Sequence, residues 1–103
     1  MREIPYRRTL IKKLEELFPG CVVLVNDPKH KQGIPDLTVL YGARWAMLEV
    51  KKDKAAPKRP NQPFWVSKLN GMSFAAFVFP QNEEEVLDAL QRSFTTERQP
   101  RVP

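Results

Sequence analysis

Apolar positions in the first twenty residues recur at intervals of three and four. Leu10, Leu14, Leu17 and Phe18, with Ile11 beside them, lay one stripe along a helix from about Pro5 to Leu17. Pro5 suits a first helical turn, and Pro19-Gly20 stops the helix. The pattern then changes to a continuous apolar run, Cys21-Val22-Val23-Leu24-Val25, which predicts a short buried strand ended by Asn26-Asp27-Pro28. After the basic loop Lys29-His30-Lys31-Gln32-Gly33, a second strand begins near Asp36 and runs to Tyr41. Gly42-Ala43 makes a tight turn, and Arg44 to Lys51 returns as a third strand, closing a hairpin.

Asp53 to Pro60 is a loop rich in proline and lysine. Asn61 is expected to cap a helix running to about Leu69, with Pro63 in its first turn and Gly71 at its end. Ser73 to Phe79 predicts a fourth strand. Asn82 precedes Glu83, Glu84 and Glu85, acids placed favourably against the dipole of a last helix. Val86, Leu87, Leu90 and Phe94 give that helix its apolar stripe, and residues from Thr95 to Pro103 form a flexible tail. The order α-β-β-β-α-β-α implies one α/β domain over residues 1–94: a mixed four-stranded sheet flanked by helices.

The third strand carries the chemistry. Side chains alternate along Arg44-Trp45-Ala46-Met47-Leu48-Glu49-Val50-Lys51, so Ala46, Leu48 and Val50 point one way and Glu49 and Lys51 the other. In a hairpin turning at Gly42-Ala43, the start of one strand lies beside the end of the next, which brings Asp36 near Glu49 and Lys51. Two carboxylates and an ammonium then converge at one end of the sheet. Carboxylate oxygens, a phosphate oxygen and waters can fill the octahedral shell of Mg²⁺, and a neighbouring lysine can orient water or stabilise charge on a phosphate. The plainer alternative is an exposed Glu49–Lys51 ion pair with little energetic weight.

The charge balance agrees with a nucleic-acid partner. The chain of 103 residues carries 17 Lys and Arg against 12 Asp and Glu, a net charge of +5. Lys29, His30 and Lys31 precede Asp36, while Lys52, Lys54, Lys58 and Arg59 follow Lys51; both groups sit where they could hold phosphates beside the acids. Trp45 and Trp65 read as packing residues. Cys21 reads as a small buried residue, and a single cysteine excludes an internal disulfide. No apolar run approaches the length of a membrane span, and the first residues lack a secretory pattern, so a cytoplasmic location in a cell or infected host is expected.

Gly33-Ile34-Pro35-Asp36-Leu37, a hairpin, then Leu48-Glu49-Val50-Lys51 resembles the PD-(D/E)XK nuclease signature. Within that superfamily the pattern is similar to the VRR-NUC type of small phage and repair nucleases. Their glutamine, opening the helix after the Glu-x-Lys strand, corresponds to Gln62. The resemblance covers roughly Leu10 to Leu90. It implies a restriction-endonuclease-like fold, catalytic Asp36, Glu49, Lys51 and Gln62, and Mg²⁺, with Mn²⁺ able to substitute. It also implies DNA as substrate, with branched forms such as Holliday junctions and a homodimer in view. In one respect the sequence departs from the family. The family's metal-binding glutamate of the first helix falls near Arg7 or Arg8; Glu3, one turn earlier, could substitute or be a plain N-terminal acid. Glu15 and Glu16 lie near the opposite end of that helix and read as a solvated face. Two other readings stay open: a non-catalytic nucleic-acid-binding module that keeps the fold, and a small restriction-type or nicking enzyme.

Overall fold

The computed structural model describes residues 2–95. Its elements are α1 (Glu3–Leu17), β1 (Val22–Val25), β2 (Leu37–Tyr41), β3 (Arg44–Val50), α2 (Asn61–Met72), β4 (Phe74–Val78) and α3 (Glu83–Thr95). The fold is α/β, in the order the periodicity predicts. One sheet has the strand order β1-β2-β3-β4. The first three strands run antiparallel, and β4 lies parallel to β3. The β2–β3 connection is the two-residue turn Gly42-Ala43, closed by the pair Tyr41 and Arg44. Gly42 sits there at φ +59°, a conformation open to glycine at little cost. The parallel β3–β4 pair needs a crossover, and α2 is that crossover.

The two faces of the sheet are covered differently. Leu37, Val39, Ala46, Leu48, Val50 and Val78 share a core with Tyr6, Leu10, Leu14 and Phe18 of the α1 region and with Val86, Leu87, Leu90 and Phe94 of α3. Phe18 is the hinge of an aromatic cluster there, with ring centroids 5.3 Å from Tyr41 and 5.1 Å from Phe94. Cys21 packs against this core but is half-buried rather than buried, and desolvation pushes its thiol pKa up. On the other face α2 lies against β3 and β4.

That partial cover corrects one expectation. The run Val22 to Val25 is not buried: β1 is an edge strand, and Val22, Leu24 and Val25 are 50%, 46% and 56% exposed. A continuous apolar run is the mark of a strand covered on both faces, but α2 stops at β3. Val22 and Leu24, together with Leu40 opposite Val22, are left facing solvent.

Helix ends also differ from the sequence reading. α1 begins at Glu3, earlier than Pro5. α2 has Asn61 as its first residue rather than its cap, with Pro60 before it in helical conformation. No side chain caps α2; the Gln62 side chain instead turns back to accept the N–H of Arg59, ahead of the helix, at 2.9 Å. The helix also passes through Gly71 to Met72, and the Ser73 N–H closes it on the Leu69 carbonyl. Asn82 stands at the start of α3 as expected, its carbonyl accepting the Val86 N–H. Its side chain turns back, accepting the Phe79 N–H and donating to the Phe77 carbonyl. Thr95 is the last residue of α3, and the rest of the expected tail, residues 96–103, lies outside the described residues.

The unequal burial gives a direct stability contrast. Leu48→Ala, at a fully buried position, should lower unfolding free energy by about 2–5 kcal/mol. Leu24→Ala should change it by less than about 1 kcal/mol. Urea unfolding followed by circular dichroism checks both; similar losses at the two sites would restore β1 to the core.

Candidate active site

Strand register brings the first acid to the second. Leu37 pairs with Leu48, so Asp36 stands across from Glu49, on the face that α2 covers. Asp36 is fixed from both sides. Its carboxylate accepts the Val50 N–H at 2.9 Å, and its carbonyl accepts the Asn26 N–H at 2.7 Å. Asn26 in turn donates from its side-chain amide to the Pro35 carbonyl and the Thr38 hydroxyl, each at 2.9 Å.

Glu49, Lys51 and Gln62 are 3%, 7% and 8% exposed, which rules out the solvated ion pair on an open strand. Lys51 extends the β3–β4 pairing, its N–H donating to the Val78 carbonyl, and its side chain therefore stays on the Glu49 face. The ammonium donates to Gln62 Oε1 at 2.8 Å and to the Pro57 carbonyl at 3.1 Å. It stands 3.7 Å from Glu49 Oε2, close enough for charge attraction but too long for a good hydrogen bond. Gln62 joins the two, donating from Nε2 to Glu49 Oε2 at 2.9 Å.

The other Glu49 oxygen, Oε1, is buried with no hydrogen-bond partner. Burial, and then the negative charge of Asp36, push the Glu49 carboxyl up to about 8; Lys51 pulls it back, and a hydrogen bond that the protonated acid can make to Asp36, then the charge of Glu3, add smaller upward pushes. A proton on Glu49 can be shared with Asp36. A divalent cation can take that proton's place: an orphaned carboxylate oxygen beside a second carboxylate offers the hard donors that Mg²⁺ and Mn²⁺ take. Asp36 and Glu49 therefore fit such an ion. Glu3 lines the same cleft from the first turn of α1, at an exposed position. Among the described residues no three His, Cys, Asp or Glu side chains gather into a metal cage. Two carboxylates are enough for Mg²⁺, which commonly keeps waters and substrate phosphate oxygens in its remaining positions.

An open cleft of about 800 Å³ lies over these groups. One wall is the loop before β2, with Pro28, Lys29, Gln32 and Gly33; the other is the loop after β3, with Lys52, Pro57, Lys58 and Arg59. Of the basic residues the sequence singled out, Lys29, Lys52, Lys58 and Arg59 border the cleft. His30, Lys31 and Lys54 are exposed and stand outside its walls. Gly33 explains how the first wall closes on α2. It sits at φ +87°, and a Cβ there would meet the Asn61 Cβ at 2.4 Å.

Asn26, Thr38 and the Pro57 carbonyl hold the site together and escaped sequence reading. Asn26 carried a signal, as a polar residue ending an apolar run, but that signal reads equally well as a turn. Nothing marks a carbonyl such as that of Pro57 in a sequence.

No protein-family model and no curated protein matches the chain. A solved structure described as a VRR_NUC domain superposes with a TM-score of 0.67, over 84% of this chain and 94% of its own, at 22% sequence identity. The fold is of the VRR-NUC type. The VRR-NUC fold is thus reached from the backbone as well as from the motifs. Among the described residues no helix is long and apolar enough to cross a membrane.

The raised Glu49 pKa sets a pH dependence. Between about pH 4.5 and 8 the folded chain keeps a proton that the unfolded chain releases. Stability is therefore greatest below that window and falls as pH rises through it. In metal-free buffer the melting temperature should drop from pH 5 to 8, and Glu49→Gln should flatten that drop. Parallel curves for Glu49→Gln and wild type would assign the titration to another group.

Proposed function

We propose that the chain is a metal-dependent endonuclease of the PD-(D/E)XK type that hydrolyses DNA phosphodiester bonds, using Mg²⁺ or, in its place, Mn²⁺. The observation that carries this reading is the buried Glu49 carboxylate, with one oxygen unpartnered, directly across from Asp36 at the floor of a basic cleft. A module that only bound nucleic acid would gain nothing from a desolvated acid facing a second acid, an arrangement that destabilises the fold.

Asp36 and Glu49 would hold the metal, with Glu3 within reach of the same cleft. When bound, the metal would lower the pKa of a water and offset charge on the scissile phosphate. The protein's own groups do the rest. Lys51 spends two hydrogen bonds on Gln62 and Pro57, which fixes the ammonium and leaves its third N–H for a phosphate or water oxygen. Gln62 orients both Glu49 and Lys51 without adding charge. Lys29, Lys52, Lys58 and Arg59 neutralise phosphates on either side of the scissile bond.

Selectivity for branched DNA and action as a homodimer complete the proposal, in the cytoplasm of a cell or infected host. Cutting both strands of a junction in one encounter requires two sites in fixed relation, and two-fold pairing is the commonest way to supply them. The uncovered apolar strip Val22, Leu24 and Leu40 on the β1–β2 edge supports pairing there.

The deciding experiment is cleavage of duplex, single-stranded, flap and four-way-junction DNA with Mg²⁺ or Mn²⁺. Asp36→Asn and Glu49→Gln should each abolish cleavage while DNA binding persists. Lys51→Ala should lower kcat by about 10²–10³-fold, and Gln62→Ala by about 10–100-fold. Binding without cleavage of any substrate, with either metal, would establish the binding module instead. For the pairing, sedimentation should find wild type as a dimer and Leu24→Glu as a monomer; a monomeric wild type would remove the dimer from the proposal.

A further inference from the structure

One face of α2 points away from the sheet. Gln62 and Leu69 are buried, and Trp65 and Val66 are half-buried, which marks the inner face. Phe64, Lys68 and Met72, four residues apart each time, mark the outer one; Phe64 is 57% exposed. Phe64 is not a lone surface apolar residue. Its ring meets Trp65 edge-on, with centroids 5.3 Å apart at 83°. The Lys31 ammonium lies 5.0 Å over the Trp65 ring, and the Lys68 ammonium lies 5.9 Å over the Phe64 ring. Lys31 belongs to the loop that walls the cleft, and Phe64 is two residues beyond Gln62 at the cleft floor.

The stretches of chain that carry these residues hold no acid, although Glu3, Asp36 and Glu49 line the neighbouring cleft. No Asp or Glu occurs from Pro28 to Pro35, or from Lys54 to Asn82. A mostly exposed aromatic ring with a flexible lysine over it and a second lysine over its neighbour, in an acid-free stretch of chain beside a basic cleft, fits a nucleobase: every base has a flat π face, and its backbone brings the phosphates that lysines attract. A protein partner fits less well, since the centres of protein interfaces are depleted in lysine.

We propose that Phe64, backed by Trp65 and flanked by Lys31 and Lys68, is a stacking platform for an unpaired base of a strand that runs on from the cleft. The inference rests on the reading that the cleft takes nucleic acid. It gives that site a preference for substrates with a single-stranded segment next to the scissile phosphate. In a continuous duplex the bases are stacked on one another and offer no free face. Phe64 is then a specificity-determining residue, distinct from the acids that carry the chemistry. Trp65, half-buried behind it, is its support and its optical reporter.

The test compares binding of a 12-nucleotide oligothymidine and a 12-base-pair duplex to the full chain in EDTA, read by fluorescence anisotropy. Phe64→Ala should lower the preference for the single strand over the duplex by about tenfold, whereas Phe64→Tyr, which keeps a ring, should retain it. In a Trp45→Phe background, oligothymidine should quench the remaining Trp65 emission. Equal effects of Phe64→Ala on both ligands, or no effect on either, would overturn the platform. A shift in sedimentation of Phe64→Ala with unchanged DNA binding would also overturn it, making the ring a protein contact. The nuclease reading is judged separately. Ring-dependent single-strand binding in a protein that cleaves nothing with Mg²⁺ or Mn²⁺ would keep the platform and remove the nuclease. Cleavage with an unchanged binding preference would do the reverse.

Discussion

Gln62 links a buried acid to a buried base, and much of the site depends on that link. Glu49 and Lys51 leave the same face of β3 two residues apart, both shielded from water. Removing two charged groups from solvent is unfavourable unless their remaining valences are satisfied. At 3.7 Å the pair does not satisfy itself. The amide closes the gap with one donor toward Glu49 and one acceptor toward Lys51, the only polarity that serves both. A glutamate in its place would set two carboxylates against each other, and a leucine would leave Glu49 without its donor and Lys51 with the Pro57 carbonyl alone.

That requirement reaches outward. Gln62 must come from the first turn of α2, so the helix has to start at the cleft floor. The loop after β3 must then fold back tightly enough for the Pro57 carbonyl to meet Lys51 and the Arg59 N–H to meet Gln62. The loop before β2 presses on the same helix end, and Gly33 gives it room against Asn61. Asp36 follows three residues later, and its distance from Glu49 is set by two contacts at once: strand register and the Val50 N–H. Both walls and the floor of the cleft are thus one connected unit, and among the described residues Glu49 Oε1 is the buried side-chain oxygen that it leaves without a partner.

Much of this was legible in the sequence. Period-two alternation in β3 and a two-residue turn after Tyr41 are local signals, and together they place Asp36 beside Glu49 and Lys51. Gln62 came from family resemblance rather than from any local pattern, since a glutamine at the start of a helix is commonplace. The failures share a cause: each depended on what lies across space. Val22 to Val25 has the composition of a covered strand, but cover is supplied by a helix whose reach the run itself does not encode. Asn61 has the composition of a cap, yet the contact with Gly33 and the inward turn of Gln62 decide the helix start. Basic residues were visible as a group, but which of them line a cleft depends on how two loops fold. Lys31 stands outside the cleft walls and lies over Trp65, a placement that the basic loop does not encode.

The distribution of charge over the two faces has a kinetic meaning. Glu83, Glu84 and Glu85 open α3, which packs on the core side of the sheet, while the α2 side carries the long stretch without acids. Lys13 of α1 pairs with Glu83, so Glu84 and Glu85 are the acids of that turn left to face an approaching charge, on a chain that is positive overall. Under the proposed function, a polyanion within about a Debye length, roughly 8 Å at physiological ionic strength, would feel a torque as well as an attraction, and the cleft would turn toward it before any side chain touched it. A larger share of diffusive collisions would then arrive in a usable orientation. On that proposal the acids of α3, remote from the cleft, would help determine which way the molecule lands.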